Sequence, residues 1–156
     1  MSILTYTLYA KLLKALANQK RIEIMRVLGN RCSTVSELIH MTGMTQANIS
    51  QHLQVLRREG AVVAKRNSKE IMYCISHPQY VRLLDHIHEI LADRKSIKPL
   101  MRHSHIPAAP MIVDPVCGMK VSPKHAAFAH AYKRSTYYFC ASGCKKKFVK
   151  NPEKYA

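Results

Sequence analysis

Three cysteines in the last third of the chain place the strongest constraint on how that part can fold. Cys117 lies in the turn-rich stretch DPVCGM, where a proline and a glycine predict a tight knuckle, and Cys140 and Cys144 follow in FCASGC. All three belong to residues 111–156, a segment close to the size below which a hydrophobic core alone rarely suffices. We therefore expect an additional cross-link, most simply a metal ion, to hold this segment together.

The sequence around these cysteines predicts the elements that carry them. AHAYKRSTYYFC has the pattern of a β-hairpin ending at Cys140, and SGCKKKFVKNPEKY has that of a short helix with Cys144 in its first turn. A helix N-terminus with lysines nearby lowers a thiol pKa, which favours the thiolate that binds metal. The side chains expected to form a small core are aromatic: Phe128, Tyr137, Tyr138, Phe139 and Phe148.

The sequence shows no sign of export or membrane insertion. Its first residues lack the basic start and the small-residue cleavage site of a signal peptide, and no apolar run approaches the roughly 20 residues of a membrane span. We therefore expect a cytoplasmic protein. Cysteines in that reducing compartment indicate metal or redox chemistry rather than structural disulfides.

The number of thiolates bears on which metal is expected. Three thiolates suit Cu(I) or Ag(I), which accept two or three soft ligands. Zn(II) normally takes a fourth ligand, for which His125, His130 and Met119 are candidates, although each is equally consistent with a surface or core position. A purely structural zinc ion is the main alternative to a functional metal.

A large excess of basic residues predicts an anionic partner. The chain has 25 Lys and Arg against 9 Asp and Glu, a net charge of +16 spread over both halves. Nucleic acid is the expected partner, because neutralising phosphates releases counterions. Binding to an anionic membrane surface needs a basic amphipathic helix or a lipid anchor, and neither is evident.

The composition divides the chain near residue 96. Residues 96–110, SIKPLMRHSHIPAAP, contain three prolines and no apolar periodicity, which predicts a linker between domains at 1–95 and 111–156. Before the linker, apolar spacing and capping residues predict five helices. The first covers residues 4–17, and the second runs from the N-cap Asn18 to Gly29-Asn30. The third starts at a Thr34–Glu37 capping box, the fourth covers residues 46–59 after Thr45, and the fifth starts after Pro78. Between the last two, AVVAKRNSKEIMYCIS predicts a β-hairpin.

A short helix, a glycine-containing turn, a second helix and a basic hairpin follow in the order of a winged helix–turn–helix. The outer face of the second helix offers short and amide side chains suited to base edges in a major groove: Gln46, Asn48, Ser50, Gln51, Gln54 and Arg57. The hairpin tip offers Lys65, Arg66 and Lys69 for phosphates. The predicted fold is mainly α with a β-hairpin wing, plus a small α+β metal-stapled C-terminal domain.

The stretches LANQKRIEIMRVL and ISQHLQVLRREG resemble the arsenical-repressor (ArsR/SmtB) family of bacterial transcription factors over roughly residues 6–95. The resemblance implies a homodimer, joined through the first and last helices of this domain, that binds a double-stranded operator with an imperfect inverted repeat. It also implies an inducer that weakens DNA binding.

The usual sensor positions of that family are not filled here. Thr34 and Ser36 stand where many members place paired thiolates, and Cys32 and Cys74 are interpreted as isolated packing cysteines. The stretch HPQYVRLLDHIHEI, which contains the start of the last predicted helix, carries polar residues that do not align with the zinc site of other members: His77, Asp85, His86 and His88.

The C-terminal segment resembles the YHS domain and the related TRASH-type heavy-metal modules over roughly residues 112–155, through DPVCGMKV, YYFCASGC and NPEKY. The resemblance implies that Cys117, Cys140 and Cys144 bind a soft or borderline metal.

The leading hypothesis is thus a metal-responsive repressor of a metal-resistance or homeostasis operon. The alternatives are a redox-sensing repressor, in which Cys140 and Cys144 form a reversible disulfide and any metal is structural, and a metal carrier. An enzyme is not expected, because no nucleophile–base pair or phosphate loop is evident.

Overall fold

The computed structural model describes residues 3–94, 111–123, 126 and 128–156. The chain divides into two compact units, residues 1–78 and 79–156. The predicted linker at 96–110 and the candidate ligand His125 lie outside the described residues, so the predicted domain boundaries stay predictions. Within the described ranges, no helix combines the length and the apolar character needed to cross a membrane.

The secondary structure follows the predicted order, with three short strands added: one near the start and two that flank the Cys117 loop. The elements are α1 Ile3–Leu16, α2 Gln19–Asn30, β1 Ser33–Thr34, α3 Val35–Thr42, α4 Gln46–Arg58, β2 Val62–Asn67, β3 Glu70–Ile75, α5 Gln79–Asp93, β4 Ile112–Val113, β5 Lys120–Val121, β6 Phe128–Tyr132, β7 Ser135–Phe139 and α6 Ser142–Lys150. A short 3₁₀ helix, Pro152–Lys154, follows α6.

Side chains at the helix starts confirm the predicted caps. The Asn18 side chain accepts hydrogen bonds from backbone N–H groups in the first turn of α2. Thr34 caps α3, and the Glu37 carboxylate accepts a bond from the Thr34 N–H, which completes the capping box. Thr45 caps α4 in the same way. Each cap satisfies N–H groups that lack a partner within the helix.

The core of the first unit is formed by α2, α3, α4 and the base of the hairpin. Apolar residues on one face of α4, Ile49, Leu53 and Leu56, are buried as the helical spacing predicts. β1, β3 and β2 form an antiparallel sheet in that order, and β2 pairs with β3 from Val62 opposite Ile75 to Asn67 opposite Glu70. The hairpin therefore extends from the core as a wing.

Several local expectations differ from the structure. α2 continues through Gly29 and Asn30, which were expected to end it, and stops only where Arg31 becomes extended before β1. Ile22 is 37% exposed, because the buried face of α2 is centred on Ile24 and Met25.

The interpretation of Cys32 and Cys74 as isolated cysteines was wrong, because the two form a disulfide. β1 was not predicted, since two residues are too few to show a strand pattern. It pairs antiparallel with β3, Ser33 opposite Tyr73, and this pairing brings the cysteines together across 42 positions of sequence.

The cysteine-containing part of the second unit is built from two small antiparallel hairpins and α6. β4 pairs with β5, and β6 pairs with β7. The Phe148 ring is fully buried and packs against the Phe139 ring, with ring centroids 5.2 Å apart, and against the Tyr137 ring at 4.7 Å. The predicted aromatic core is therefore present, although Phe128, Tyr137 and Tyr138 are only half-buried.

Candidate nucleic-acid interface and metal centre

The exposed face of α4 carries the predicted base-reading side chains. α4 buries its apolar face in the core, so its polar residues project outward, and each predicted contact residue is exposed: Gln46, Asn48, Ser50, Gln51, Gln54 and Arg57. Amides and short hydroxyls on a protruding helix can form hydrogen bonds with base edges. Nothing in the structure tests these contacts, and they stay predictions.

The wing places basic side chains at its tip. Lys65 and Arg66 lie on β2, and Lys69 lies in the two-residue loop that joins β2 to β3; all three are exposed. Ser68, the first loop residue, has φ of 53°, in the left-handed region that tight hairpin loops require. The tip is thus a compact positive surface suited to phosphate oxygens.

His52 lies on the flank of α4 rather than on its outer face. The side chain is half-buried. Burial lowers the pKa of His52, and the positive charges of Arg21 and Lys20 lower it further. A half-buried histidine on the flank of α4 is placed for packing rather than for base recognition.

Three cysteine sulfurs converge in the second unit. The Cys117 Sγ lies 3.5 Å from the Cys140 Sγ, which lies 3.7 Å from the Cys144 Sγ. Two sulfurs bound tetrahedrally to one metal at about 2.3 Å would be separated by about 3.8 Å. The sulfurs therefore already have nearly the spacing that a shared metal ion requires.

Each cysteine reaches the cluster on a different local structure. Cys117 lies in the loop between β4 and β5, where Gly118 has φ of 72° and its N–H donates to the Asp114 carbonyl. Cys140 directly follows β7, and Cys144 lies in the first turn of α6. These are the knuckle, strand end and helix start that the sequence predicts.

A buried carboxylate adjoins the sulfurs, and sequence reasoning missed it. Asp114 is fully buried; its Oδ1 accepts the Val116 N–H at 2.9 Å, and its Oδ2 accepts the Cys140 N–H at 2.8 Å. The ligand atoms of Asp114 and the three cysteines all lie within 4.8 Å of one another. The available signal was an Asp-Pro pair three residues before Cys117, which is typical of an Asx turn.

The three cysteine thiols differ in the direction of their pKa shifts. Hydrogen bonds from Cys140 and Cys144 lower the pKa of Cys117. The hydrogen bond to Cys117 raises the pKa of Cys140 and of Cys144, and burial adds to both shifts. We expected the helix N-terminus to lower the pKa of Cys144; the pairing with a Cys117 thiolate outweighs it. Burial also raises the pKa of Asp114.

The candidate fourth ligands are placed differently. Met119 is 2% exposed, and its carbonyl accepts the Asp114 N–H at 2.8 Å. His130 lies on β6, where its ring packs edge-on against Phe148. Among the described residues His130 is not a member of the cluster, and His77, Asp85, His86 and His88 form no comparable cluster. His86 instead lies 3.3 Å from the Glu89 carboxylate.

Two family profiles match separate parts of this chain. "Bacterial regulatory protein, arsR family" matches residues 18–63, and the YHS domain matches residues 112–156. The first match spans the helix–turn–helix, and the second contains all four residues of the cysteine and aspartate cluster.

The relatives of the first part are bacterial regulators. An uncharacterized HTH-type transcriptional regulator of Mycobacterium tuberculosis, Rv0081, is 39% identical over 88 residues, which are 56% of this chain and 77% of the relative. The transcriptional activator HlyU of Vibrio cholerae is 32% identical over 79 residues, 51% of this chain and 73% of HlyU.

Solved structures agree with the fold of this part. The crystal structure of M. tuberculosis Rv0081 has a TM-score of 0.55 at 37% identity, over 61% of this chain and 96% of that one. The solution structure of the homodimeric winged helix–turn–helix DNA-binding domain of Mb0332 from Mycobacterium bovis, a possible ArsR-family transcriptional regulator, has a TM-score of 0.55 at 28% identity. It covers 68% of this chain and 97% of that one. The first part of the chain has the winged helix–turn–helix fold.

Proposed function

Because this chain belongs to the arsR family of bacterial regulatory proteins, we propose that it is a metal-responsive transcriptional repressor. Members of this family are DNA-binding regulators and not enzymes. The protein acts in the cytoplasm, where α4 contacts the bases of an operator and the wing binds adjacent phosphates. A soft metal ion held by Cys117, Cys140 and Cys144 changes its affinity for that operator.

The observation that carries the metal response is the convergence of three sulfurs at spacings of 3.5 and 3.7 Å. In the first unit, Thr34 and Ser36 occupy the positions where related sensors place thiolates, and Thr34 is already used as a helix cap. The soft ligands of this chain are therefore concentrated in the YHS domain. Three sulfurs favour Cu(I) or Ag(I), and a fourth ligand is needed for Zn(II).

Apolar side chains exposed on α1 and α5 support a homodimer. Six large apolar residues of α1 are more than half exposed: Ile3, Leu4, Tyr6, Leu8, Tyr9 and Leu13. On α5, Ile87, Ile90 and Leu91 are 39%, 54% and 38% exposed. Exposed apolar surface of this extent marks an interaction site. We propose that these helices join two copies, so that two α4 helices meet the half-sites of an inverted repeat.

DNA binding at graded metal concentrations tests the proposal. A duplex selected from a random-sequence pool by the metal-free protein is titrated, and fluorescence anisotropy gives the Kd with and without Cu(I), Ag(I) or Zn(II). We expect one of these metals to raise the Kd by about 5-fold or more. Cys140→Ser should abolish the response, whereas the control Thr136→Ser, an exposed position of the same domain, should keep it.

The alternatives give different results. Metal that binds without changing the Kd identifies a structural ion and contradicts the sensing role. A failure to select any preferred duplex contradicts the repressor role and favours a metal carrier.

A further inference from the structure

A disulfide in the DNA-binding domain has no part in the function proposed above. Cys32 and Cys74 are bonded, with Cα atoms 4.3 Å apart. Since Ser33 pairs with Tyr73 in the antiparallel sheet, Cys32 stands directly opposite Cys74 at the next position of the register. The separation fits a closely spaced antiparallel pair without mutual backbone hydrogen bonds, for which about 4.5 Å is usual.

The bond joins the two parts of the domain that are expected to meet DNA. Cys32 directly precedes β1, and β1 leads into α3 through the Thr34 cap. Cys74 lies on β3, the return strand of the wing, which pairs with β2 along six residues. β1 itself contributes only two residues to the sheet. A covalent bond here therefore fixes the base of the wing to the start of the helix–turn–helix.

The two sulfurs differ in access. Cys32 is exposed, whereas Cys74 is 6% exposed. A small thiol or disulfide from solution therefore reacts first at the Cys32 sulfur. Cys74 is placed to act as the resolving cysteine, which attacks the Cys32 sulfur in the second step. In the cytoplasm, where the proposed function puts this protein, disulfides are rare and those present are usually redox-sensing. Accessible disulfides are also the more readily reduced ones.

We propose that Cys32 and Cys74 are a reversible modification site that exchanges with low-molecular-weight disulfides and thiols, such as the glutathione pair. In oxidation, the Cys32 thiolate attacks one sulfur of oxidised glutathione, forms a mixed disulfide and releases one glutathione thiolate. The Cys74 thiolate then attacks the Cys32 sulfur and releases the second. Two electrons pass from the protein to glutathione, and the two protons lost by the cysteines appear on the released thiols.

The consequence for DNA binding rests on the proposed repressor function. With the bond formed, the wing and α3–α4 form one pre-organised surface, so fewer degrees of freedom are lost on the operator. With the bond reduced, the wing keeps its pairing with β1 and the packing of β2 on α4 and of β3 on α3, but it loses the covalent link that fixes its base to Cys32. The oxidised protein binds the operator more tightly, and reduction raises the Kd by about 5-fold or more. This response is separate from that of the metal, because no residue is shared.

To test this proposal, the protein is equilibrated in buffers that contain reduced and oxidised glutathione at defined ratios. Alkylation of free thiols followed by peptide mass spectrometry gives the oxidised fraction of Cys32 and Cys74, separately from that of Cys140 and Cys144. Anisotropy with the selected duplex gives the Kd at each ratio. Cys32→Ser and Cys74→Ser are compared with Ser36→Ala, an exposed position on α3.

As the proportion of oxidised glutathione rises, we expect the Cys32–Cys74 pair to form its disulfide in one cooperative two-electron transition. The Kd should fall in parallel in wild type and in Ser36→Ala. Both cysteine variants should keep a constant Kd close to that of the reduced protein. A pair that forms no disulfide at any ratio overturns the proposal, and so does an equal Kd in both states. Loss of all duplex binding contradicts the repressor function, while mass spectrometry still decides whether the pair exchanges.

Discussion

The Cys140 backbone N–H donates a 2.8 Å hydrogen bond to the buried Asp114 carboxylate, 26 positions earlier in the chain. The other oxygen of that carboxylate accepts the Val116 N–H. One side chain therefore fixes both the loop that carries Cys117 and the strand end that carries Cys140. Because both oxygens accept these backbone hydrogen bonds, we expect Asp114 to position the thiolates rather than to bind the metal.

Asp114→Asn should weaken metal binding without removing a ligand. An amide has one acceptor oxygen, and its NH₂ group would face a backbone N–H. Loss of such supporting contacts at metal sites typically costs about 10–100-fold in affinity, which competition with a chromophoric chelator measures. Glu153→Gln, an exposed carboxylate of the same unit, is the control. Equal affinity of Asp114→Asn and wild type would show that the hydrogen bonds do not position the thiols.

Metal affinity should rise steeply with pH near neutrality. The pKa of Cys117 is lowered, and it is a thiolate before metal binds, whereas the pKa values of Cys140 and Cys144 are raised, so both keep their protons. Metal must displace those two protons. The apparent Kd should therefore fall by about 100-fold per pH unit, which corresponds to about two released protons.

Proton release can also be measured directly by calorimetry in buffers of different ionisation enthalpy. Wild type should release about two protons per metal ion bound. Release of no proton by wild type would contradict the assignment of the thiol protons.

Features that depend on neighbouring residues could be predicted from the sequence more readily than contacts between residues far apart in the chain. The Thr34–Glu37 capping box spans three residues, so both partners are visible in one short stretch. The Cys32–Cys74 bond joins positions 42 residues apart, through a strand too short to recognise. Asp114 could not be predicted for a different reason. Its role depends on a hydrogen bond to Cys140, and a carboxylate is not one of the soft ligands that indicate a thiolate metal site.

His52 should make the stability of the first unit depend on pH. Burial and the charges of Arg21 and Lys20 lower its pKa from 6.5. Below 6.5 the unfolded chain binds the proton more readily than the folded chain, so stability is complete above that pH and falls as the pH decreases. Denaturant midpoints at pH 7.5 and 5.5 measure the difference. His52→Gln should reduce the difference between the two midpoints, and an unchanged difference in this variant would contradict this role.

Lys69→Ala should weaken operator binding by removing a phosphate contact. Such a contact carries no sequence information, so the Kd should rise for all duplexes alike, and the slope of log K against log salt should become shallower by about 0.9 per protomer. Arg134→Ala is a matched control, because Arg134 occupies the same position in the two-residue loop between β6 and β7 and is equally exposed. Removing that charge should leave the salt slope unchanged, because the proposed interface is formed by α4 and the wing and not by the loop between β6 and β7. Equal changes in the two variants would mean that the excess charge of the chain, and not the wing, determines its affinity for DNA.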